Sequence, residues 1–304
     1  FYMSDNITED IVYPSVEVSS PAKPLKRYIN NPIIEPIEGS WWESVYTLNA
    51  AALRIGEYVY LMYRAVGSDG ISRLGLAITK GFEIIERLPE PIFVPEMPEE
   101  RRGCEDPRLV MIGDRIYMTY TAFDGIVAQI AVASISVDDF LARRFDKWQR
   151  HGMAFPGFTD KDAVIFPEKV NGLYPIYHRT EPSIWISYTP SLECPWPRQG
   201  HKIIMGPRSG LMWDARKVGA GSQPIKTEYG WLMIYHGIDN HLVYRLGSML
   251  ADINDPSRIL YRSPNPVLSP ETSYEIGEKG KSWVPNVVFT CGAVPMTSKE
   301  ILGK

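Results

Sequence analysis

The chain has 304 residues, 44% of them hydrophobic, enough apolar material for a large core in one or two domains. Its 32 basic and 36 acidic residues give a formal net charge of -4, so no basic excess points to nucleic acid, and no apolar run approaches the length of a membrane span. Three cysteines, Cys104, Cys194 and Cys291, lie far apart with no CxxC pair; this argues against a zinc site or disulfide framework and fits reduced thiols in a cytoplasmic protein. The polar start FYMSDNITED lacks the apolar stretch of a signal peptide.

Residues 1–26 read as an N-terminal arm. Strand-like alternation then begins with TLNAAALRI and EYVYLMYRAVG, followed by SRLGLAITK and FEIIERLP. A second unit runs EDPRLVMI, DRIYMTYTAFDG and AQIAVASIS. A third runs DKDAVIFPEKV, GLYPIYHRTE and SIWISYTP, and a fourth MWDARKVGAG, YGWLMIYHGID and YRLGSMLADI. VPNVVFTCGAV opens a fifth unit, which reaches Lys304 before it is complete. Tyr63, Tyr120, Tyr177 and Tyr235 recur at intervals of 57, 57 and 58 residues. Near-equal periods filled with short strands, without helical periodicity, predict an all-β, five-bladed β-propeller. It occupies 1–304 as a single domain, its last blade incomplete at the C-terminus. A sandwich or barrel with coincidental spacing is the competing fold.

The innermost strands of a propeller line its central channel. Polar residues open five such strands: Asn49, Asp106, Asp162, Asp214 and Asn286. They are expected to meet at one mouth. Asp106, between Glu105 and Pro107, is expected to be desolvated, which raises a carboxyl pKa and suits general-acid work. The plainer reading is a strand-opening acid paired with Arg108. Lys161, Arg179, Lys217 and His236, with the hydroxyl of Tyr244, form a candidate oxyanion site, although each cation alone would suit a solvated surface. KVGAG lets backbone approach closely but is not a P-loop. Trp41, Trp42, Tyr46 and Trp213 are placed near the mouth, for sugar stacking or for packing. The five histidines show no metal-ligand spacing and no GxSxG occurs.

GCEDPRL, NPIIEP, YRAVG, SRLGLAI, KDAVIFPEK, KVGAGSQPI, GWLMIYHG and VPNVVFTCGAV together resemble glycoside hydrolase family 130, over about Asn31 to Val294. The resemblance implies inverting phosphorolysis of β-mannosides on a five-bladed propeller, with no cofactor and inorganic phosphate as co-substrate. Asp106 would be the sole catalytic carboxylate, protonating the glycosidic oxygen by way of the mannose 3-hydroxyl. Lys161, Arg179, Lys217, His236 and Tyr244 would hold phosphate. Asn49, Arg64 and Asp162 would bind the mannosyl unit, with Glu105, Arg108 and Trp213 beside it. The short arm resembles members acting on β-1,2-mannobiose and β-1,2-oligomannosides, and Trp42 or Trp213 would stack on the second sugar. Trp283 departs from the aspartate that several relatives carry at this place. The expected partners are a β-mannoside oligosaccharide and phosphate, without nucleic acid or membrane; a homo-oligomer stays open. The alternatives are a β-mannoside hydrolase of the same family, a β-1,4-mannoside phosphorylase and a non-catalytic carbohydrate-binding propeller.

Overall fold

β-Branched and aromatic residues between turn-forming glycines set the local structure. EYVYLMYRAVG, bounded by Gly56 and Gly67, becomes β2 (Tyr58–Val66), flanked by β1 (Tyr46–Ile55) and β3 (Ser72–Lys80), with β4 (Glu83–Arg87) outermost. The computed structural model describes residues 24–296 except Lys279. Most of the expected N-terminal arm lies outside the described residues.

The same up-and-down order recurs. It is repeated by β5 (Gly103–Ile112), β6 (Arg115–Phe123), β7 (Ala128–Ser136) and β8 (Gln149–Met153). Helix α1 (Val137–Leu141) follows β7. The third meander is β9 (Lys161–Ile165), β10 (Tyr174–Thr180), β11 (Ser183–Thr189) and β12 (Lys202–Met205). In the fourth, β13 (Lys217–Ala220) and β14 (Ile225–Thr227) both pair with β15 (Gly230–Ile238), which continues to β16 (Tyr244–Ala251) and β17 (Ile259–Arg262). A single parallel bridge, Ser72 to Gly103, joins the first two meanders. The protein is all-β; its helices are short, and none among the described residues is long and apolar enough to cross a membrane.

Neighbouring meanders pack on one another through shared core clusters, so inner strands are covered on both sides. That explains the near-continuous burial of β5 and β7. One core cluster joins Leu53 and Leu74 to Leu109 and Ile116, a second Val110 and Ile130 to Ile165 and Ile176, and a third Val164 and Ile184 to Val218 and Met233. Strand β1 lies beside β5, β5 beside β9, and β9 beside β13.

The described residues past Arg262 form no strand. They hold helix α2 (Ser273–Ile276) and bridges from Leu246 to Leu268 and from Tyr244 to Val287. Leu25 N–H donates to Val267 O at 2.8 Å, so the start of the described chain runs along this segment. Residues 290–293 fill the space between β13 and β1. A Cβ on Gly292 would sit 2.2 Å from Ala52 N, one on Gly221 would sit 3.2 Å from Thr290 O, and Gln223 Nε2 donates to Ala52 O at 2.8 Å.

A buried polar anchor repeats behind the inner strands. Tyr63 Oη donates to Glu43 at 2.8 Å and accepts from Arg87 Nε at 3.1 Å. Tyr235 Oη does the same with Asp214 at 2.9 Å and Arg262 at 3.2 Å. Tyr120 bonds Glu100, which also pairs with Arg150 at 3.2 Å. Each arginine comes from the outermost region of its sheet and ties it to the inner edge, and each buried charge is paired and hydrogen-bonded, as burial requires. In the third meander the strand register puts His178, not Tyr177, opposite the inner strand's irregularity. Its ring bonds Asp160 at 2.6 Å and Ser187 at 2.7 Å. All three residues are at least 98% withdrawn from solvent, so this Ser-His-Asp chain is structural.

Candidate active site

Three inner strands kink at the same place. The pairing of β1 with β2 slips between Leu48 and Ala51, that of β5 with β6 between Glu105 and Arg108, and that of β9 with β10 opposite Tyr177 and Arg179. The bulged residues are Asn49, Asp106 and Asp162, with φ of 52°, 51° and 55°; Asn286 joins them at 58°. Asn and Asp tolerate this left-handed conformation better than other side chains, and bulges re-aim side chains near functional sites. Four of the five expected strand-opening residues therefore share one backbone device. The fifth differs. Asp214 lies behind its sheet, bonded to Tyr235, Arg208 and Arg262, and β13 runs in register without a bulge. Gly219 occupies that inner position because a Cβ there would come within 2.5 Å of the His236 ring and 2.7 Å of Asp162 Oδ2.

Asp106 is buried. Its Oδ1 accepts from Asn49 Nδ2 at 2.8 Å and Arg64 Nη1 at 3.1 Å. Arg64 also donates from Nη2 to Glu105 Oε1 at 3.0 Å and from Nε to Ser72 Oγ at 2.8 Å, while Lys161 Nζ reaches Glu105 Oε2 at 3.4 Å. Burial pushes the Asp106 carboxyl up, but Arg64, then Lys161 and Arg108, outweigh it and hold the group below its ordinary value. This corrects the expectation of a raised pKa: desolvation is present, and the cations around it win. The plainer pairing also fails, since Arg108 donates only to the backbone carbonyl of Asp106, at 3.1 Å.

The second centre is Asp162. Arg108 Nη2 donates to its Oδ1 at 3.1 Å, and Arg179 Nη1 lies 3.1 Å from its Oδ2. His236 Nε2 is 3.5 Å from the same oxygen, without hydrogen-bond alignment. Burial, opposed by these cations, leaves Asp162 well below the carboxylate range. Burial drives His236 down to about 3; Asp162 opposes this, and Arg179, Arg108 and Lys217 add to it, so the ring is neutral at pH 7. Tyr244 lies beside it, ring centroids 6.3 Å apart, its phenol pushed up mainly by burial and so protonated. Arg179 Nε and both nitrogens of His236 are buried without a hydrogen-bond partner. Native proteins rarely leave such atoms unpaired, and these converge from β10 and β15 on one place. Lys217 Nζ approaches from β13, bonded to Glu181 Oε1 at 2.8 Å, and Arg179 Nη2 is 3.7 Å from the same oxygen.

The structure thus gathers Asn49, Arg64, Glu105, Asp106 and Lys161 into one bonded group, and Arg108, Asp162, Arg179, His236, Lys217 and Tyr244 into a second beside it. Trp213 does not belong to either. It is buried, packs against Tyr235 with ring centroids 5.5 Å apart, donates from Nε1 to Pro264 O and fills the space that Gly237 and Gly247 leave open. Trp42 repeats this arrangement with Tyr63, Pro89 and Gly75. Both are core residues preceding an anchor carboxylate, which corrects their placement against a sugar. Glu181, Ser72 and Phe289, whose ring is 4.4 Å from that of His236, were not foreseen. Glu181 lies in the turn that follows β10, two residues after Arg179. Among the described residues no group of three His, Cys, Asp or Glu could hold a metal ion. A cavity of about 420 Å³ lies at the other ends of the inner strands, lined by Leu53, Val110, Pro167, Ile225 and Ala293, and has no carboxylate.

Comparison with known proteins decides the family. The family model of glycoside hydrolase family 130, described as beta-1,4-mannooligosaccharide phosphorylase, matches residues 21–302. The chain belongs to glycoside hydrolase family 130. A beta-1,2-mannobiose phosphorylase of Thermoanaerobacter sp. (strain X514) is 39% identical over 284 residues, 89% of each chain. A 1,2-beta-oligomannan phosphorylase of the same organism is 38% identical over 280 residues, 88% of each. The structure of the beta-1,2-mannobiose phosphorylase from Listeria innocua in complex with beta-1,2-mannobiose superposes with a TM-score of 0.75 at 25% identity, covering 89% of this chain and 90% of that one. A further family structure, from work on family members that hydrolyse beta-1,2 mannosidic linkages in Candida mannan, gives 0.77 at 25% identity, covering 90% and 88%.

Proposed function

We propose that the protein is a reversible, inverting phosphorylase. It converts β-1,2-mannobiose or β-1,2-oligomannosides and phosphate into α-mannose 1-phosphate and a shortened acceptor. The observation that carries this reading is the set of buried polar atoms without a hydrogen-bond partner, Arg179 Nε and the two ring nitrogens of His236, beside Lys217. A hydrolase needs a second carboxylate to activate water. Here Glu105 and Asp162 are both paired with buried cations, and the exposed Glu181 is held by Lys217. A phosphate dianion needs no base, and the pocket offers two full charges and a neutral imidazole to hold it.

In this mechanism a phosphate oxygen attacks the anomeric carbon opposite the departing sugar. The C1–O glycosidic bond breaks, and Asp106 supplies the proton to the leaving oxygen. The proton carried by hydrogen phosphate restores the acid. In the unliganded protein Arg64 keeps Asp106 ionised; negative charge arriving at Arg179 and Lys217 raises its proton affinity when the proton is needed. We infer further that the four meanders and the segment 263–296 form the five blades of a propeller in one domain, with this site at a channel mouth. The cysteines are all unpaired, which fits a reducing cytoplasmic setting.

The β-1,2 linkage rests on the relatives at 39% and 38% identity, whereas the family description names β-1,4. Comparing kcat/KM on β-1,2- and β-1,4-mannobiose with saturating phosphate tests it. A preference of about 10- to 200-fold for the β-1,2 substrate is expected. Equal or better use of the β-1,4 substrate overturns the linkage.

A further inference from the structure

We propose that Trp283 is the acceptor-side platform of this site, the ring on which the leaving sugar of the β-mannoside stacks. The proposal rests on the phosphorylase reading above and names a contact that reading leaves open. Arg64 Cζ lies over the Trp283 ring, 5.0 Å from its centroid, and the same guanidinium holds Asp106. The indole is therefore within a residue's reach of the acid, yet 56% of Trp283 is exposed to solvent.

Trp283 is not a stray surface residue. Its segment is fastened at the base, where Asn286 N–H donates to Ile276 O and Val287 N–H to Glu275 O, both at 2.9 Å. Glu275 is in turn held by Arg27 through two contacts of 2.7 Å. Ser282, the residue before Trp283, accepts at Oγ from Glu278 N–H at 2.8 Å and donates its own N–H to Glu278 O at 2.9 Å. Tyr46 flanks the indole with ring centroids 5.6 Å apart. A large apolar ring, held in place by its own loop and left in water beside a charged pocket, has a surface suited to an amphipathic ligand. The C–H face of a pyranose is such a surface: its polarised hydrogens meet the negative face of the indole while its hydroxyls stay solvated. The mannosyl unit that receives phosphate must sit over Asp106 and the cradle, so the ring left for Trp283 is the acceptor.

Trp283→Ala and Trp283→Phe are to be compared with wild type in the synthetic direction, from α-mannose 1-phosphate and mannose. Thermal unfolding of each serves as the check on the fold. Trp283→Ala should raise the acceptor KM by about tenfold or more, leaving the KM for α-mannose 1-phosphate within about twofold. Trp283→Phe keeps an aromatic face and should recover most of the loss. Equal rises in both KM values, or a fall in kcat alone, would show Trp283 acting through Arg64 and overturn the proposal; unchanged kinetics would do so as well. A wild-type protein with no phosphate-dependent activity would instead remove the parent reading, and the proposal with it.

Discussion

Arg64 and Asp106 are joined at 3.1 Å inside a site where both are more than 90% withdrawn from solvent. The contact decides the resting state of the acid. Burial pushes the Asp106 carboxyl up, while the guanidinium, helped by Lys161 and Arg108, outweighs it and leaves the group ionised.

Asp106→Asn removes the transferable proton and keeps a partner for Asn49 and Arg64. Turnover in phosphorolysis should fall by about 10²–10⁴-fold, the usual worth of general acid catalysis, with the fold intact by circular dichroism. Activity within a few-fold of wild type would take Asp106 out of the acid role.

Arg179→Ala and Lys217→Ala each remove one charge from the cradle. Each should raise the KM for phosphate about 10- to 100-fold and the KM for mannoside much less, since one charge-assisted contact is lost. Steady-state kinetics with phosphate varied at saturating mannoside measures this. Equal effects on both substrates would count against the cradle.

Glu181 is the exposed carboxylate that engages Lys217 and Arg179, and the Lys217 hydrogen bond holds its pKa down. It competes with an incoming anion for both cations. Glu181→Gln should therefore lower the phosphate KM and leave kcat within a few-fold. Loss of turnover comparable to that of Asp106→Asn would instead mark Glu181 as a water-activating base and favour hydrolysis.

His236 makes stability depend on pH. Its folded value is about 3 against an ordinary 6.5, so between these the unfolded chain takes up a proton that the folded ring refuses. Its contribution is complete above about pH 6.5 and is lost as pH falls towards 3; at pH 5 the loss is on the order of 2 kcal/mol. Urea unfolding at pH 7 and pH 5 in phosphate-free buffer should show a steeper fall for wild type than for His236→Asn. Identical falls would contradict the burial argument.

The repeat was legible because the same chemistry recurs at fixed spacing: Tyr63, Tyr120 and Tyr235 each anchor a buried carboxylate. In the third meander the spacing points to Tyr177 while His178 holds the place, because Asp162 follows Asp106 after 56 residues rather than 57. The bulged Asn49, Asp106 and Asp162, and Asn286 with the same positive φ, could be picked out because polar residues break an apolar run there. Asp214 looked the same and is an anchor, a difference fixed by the bulge that β13 lacks. Trp42 and Trp213 could not be placed, because which side of a turn faces the core depends on the glycines packed against it. The direction of the Asp106 shift was hidden for a similar reason: its strongest partner, Arg64, comes from another meander, 42 residues away in sequence.

The central claim is that one acid and a bound anion replace the two carboxylates of a hydrolase. NMR of α- and β-mannose 1-phosphate standards beside a reaction of the protein with β-1,2-mannobiose tests it most directly, run with and without inorganic phosphate. The account predicts α-mannose 1-phosphate and mannose in equal amounts, formed only when phosphate is present. Free mannose released at the same rate without phosphate, or a β-configured phosphate, would contradict it.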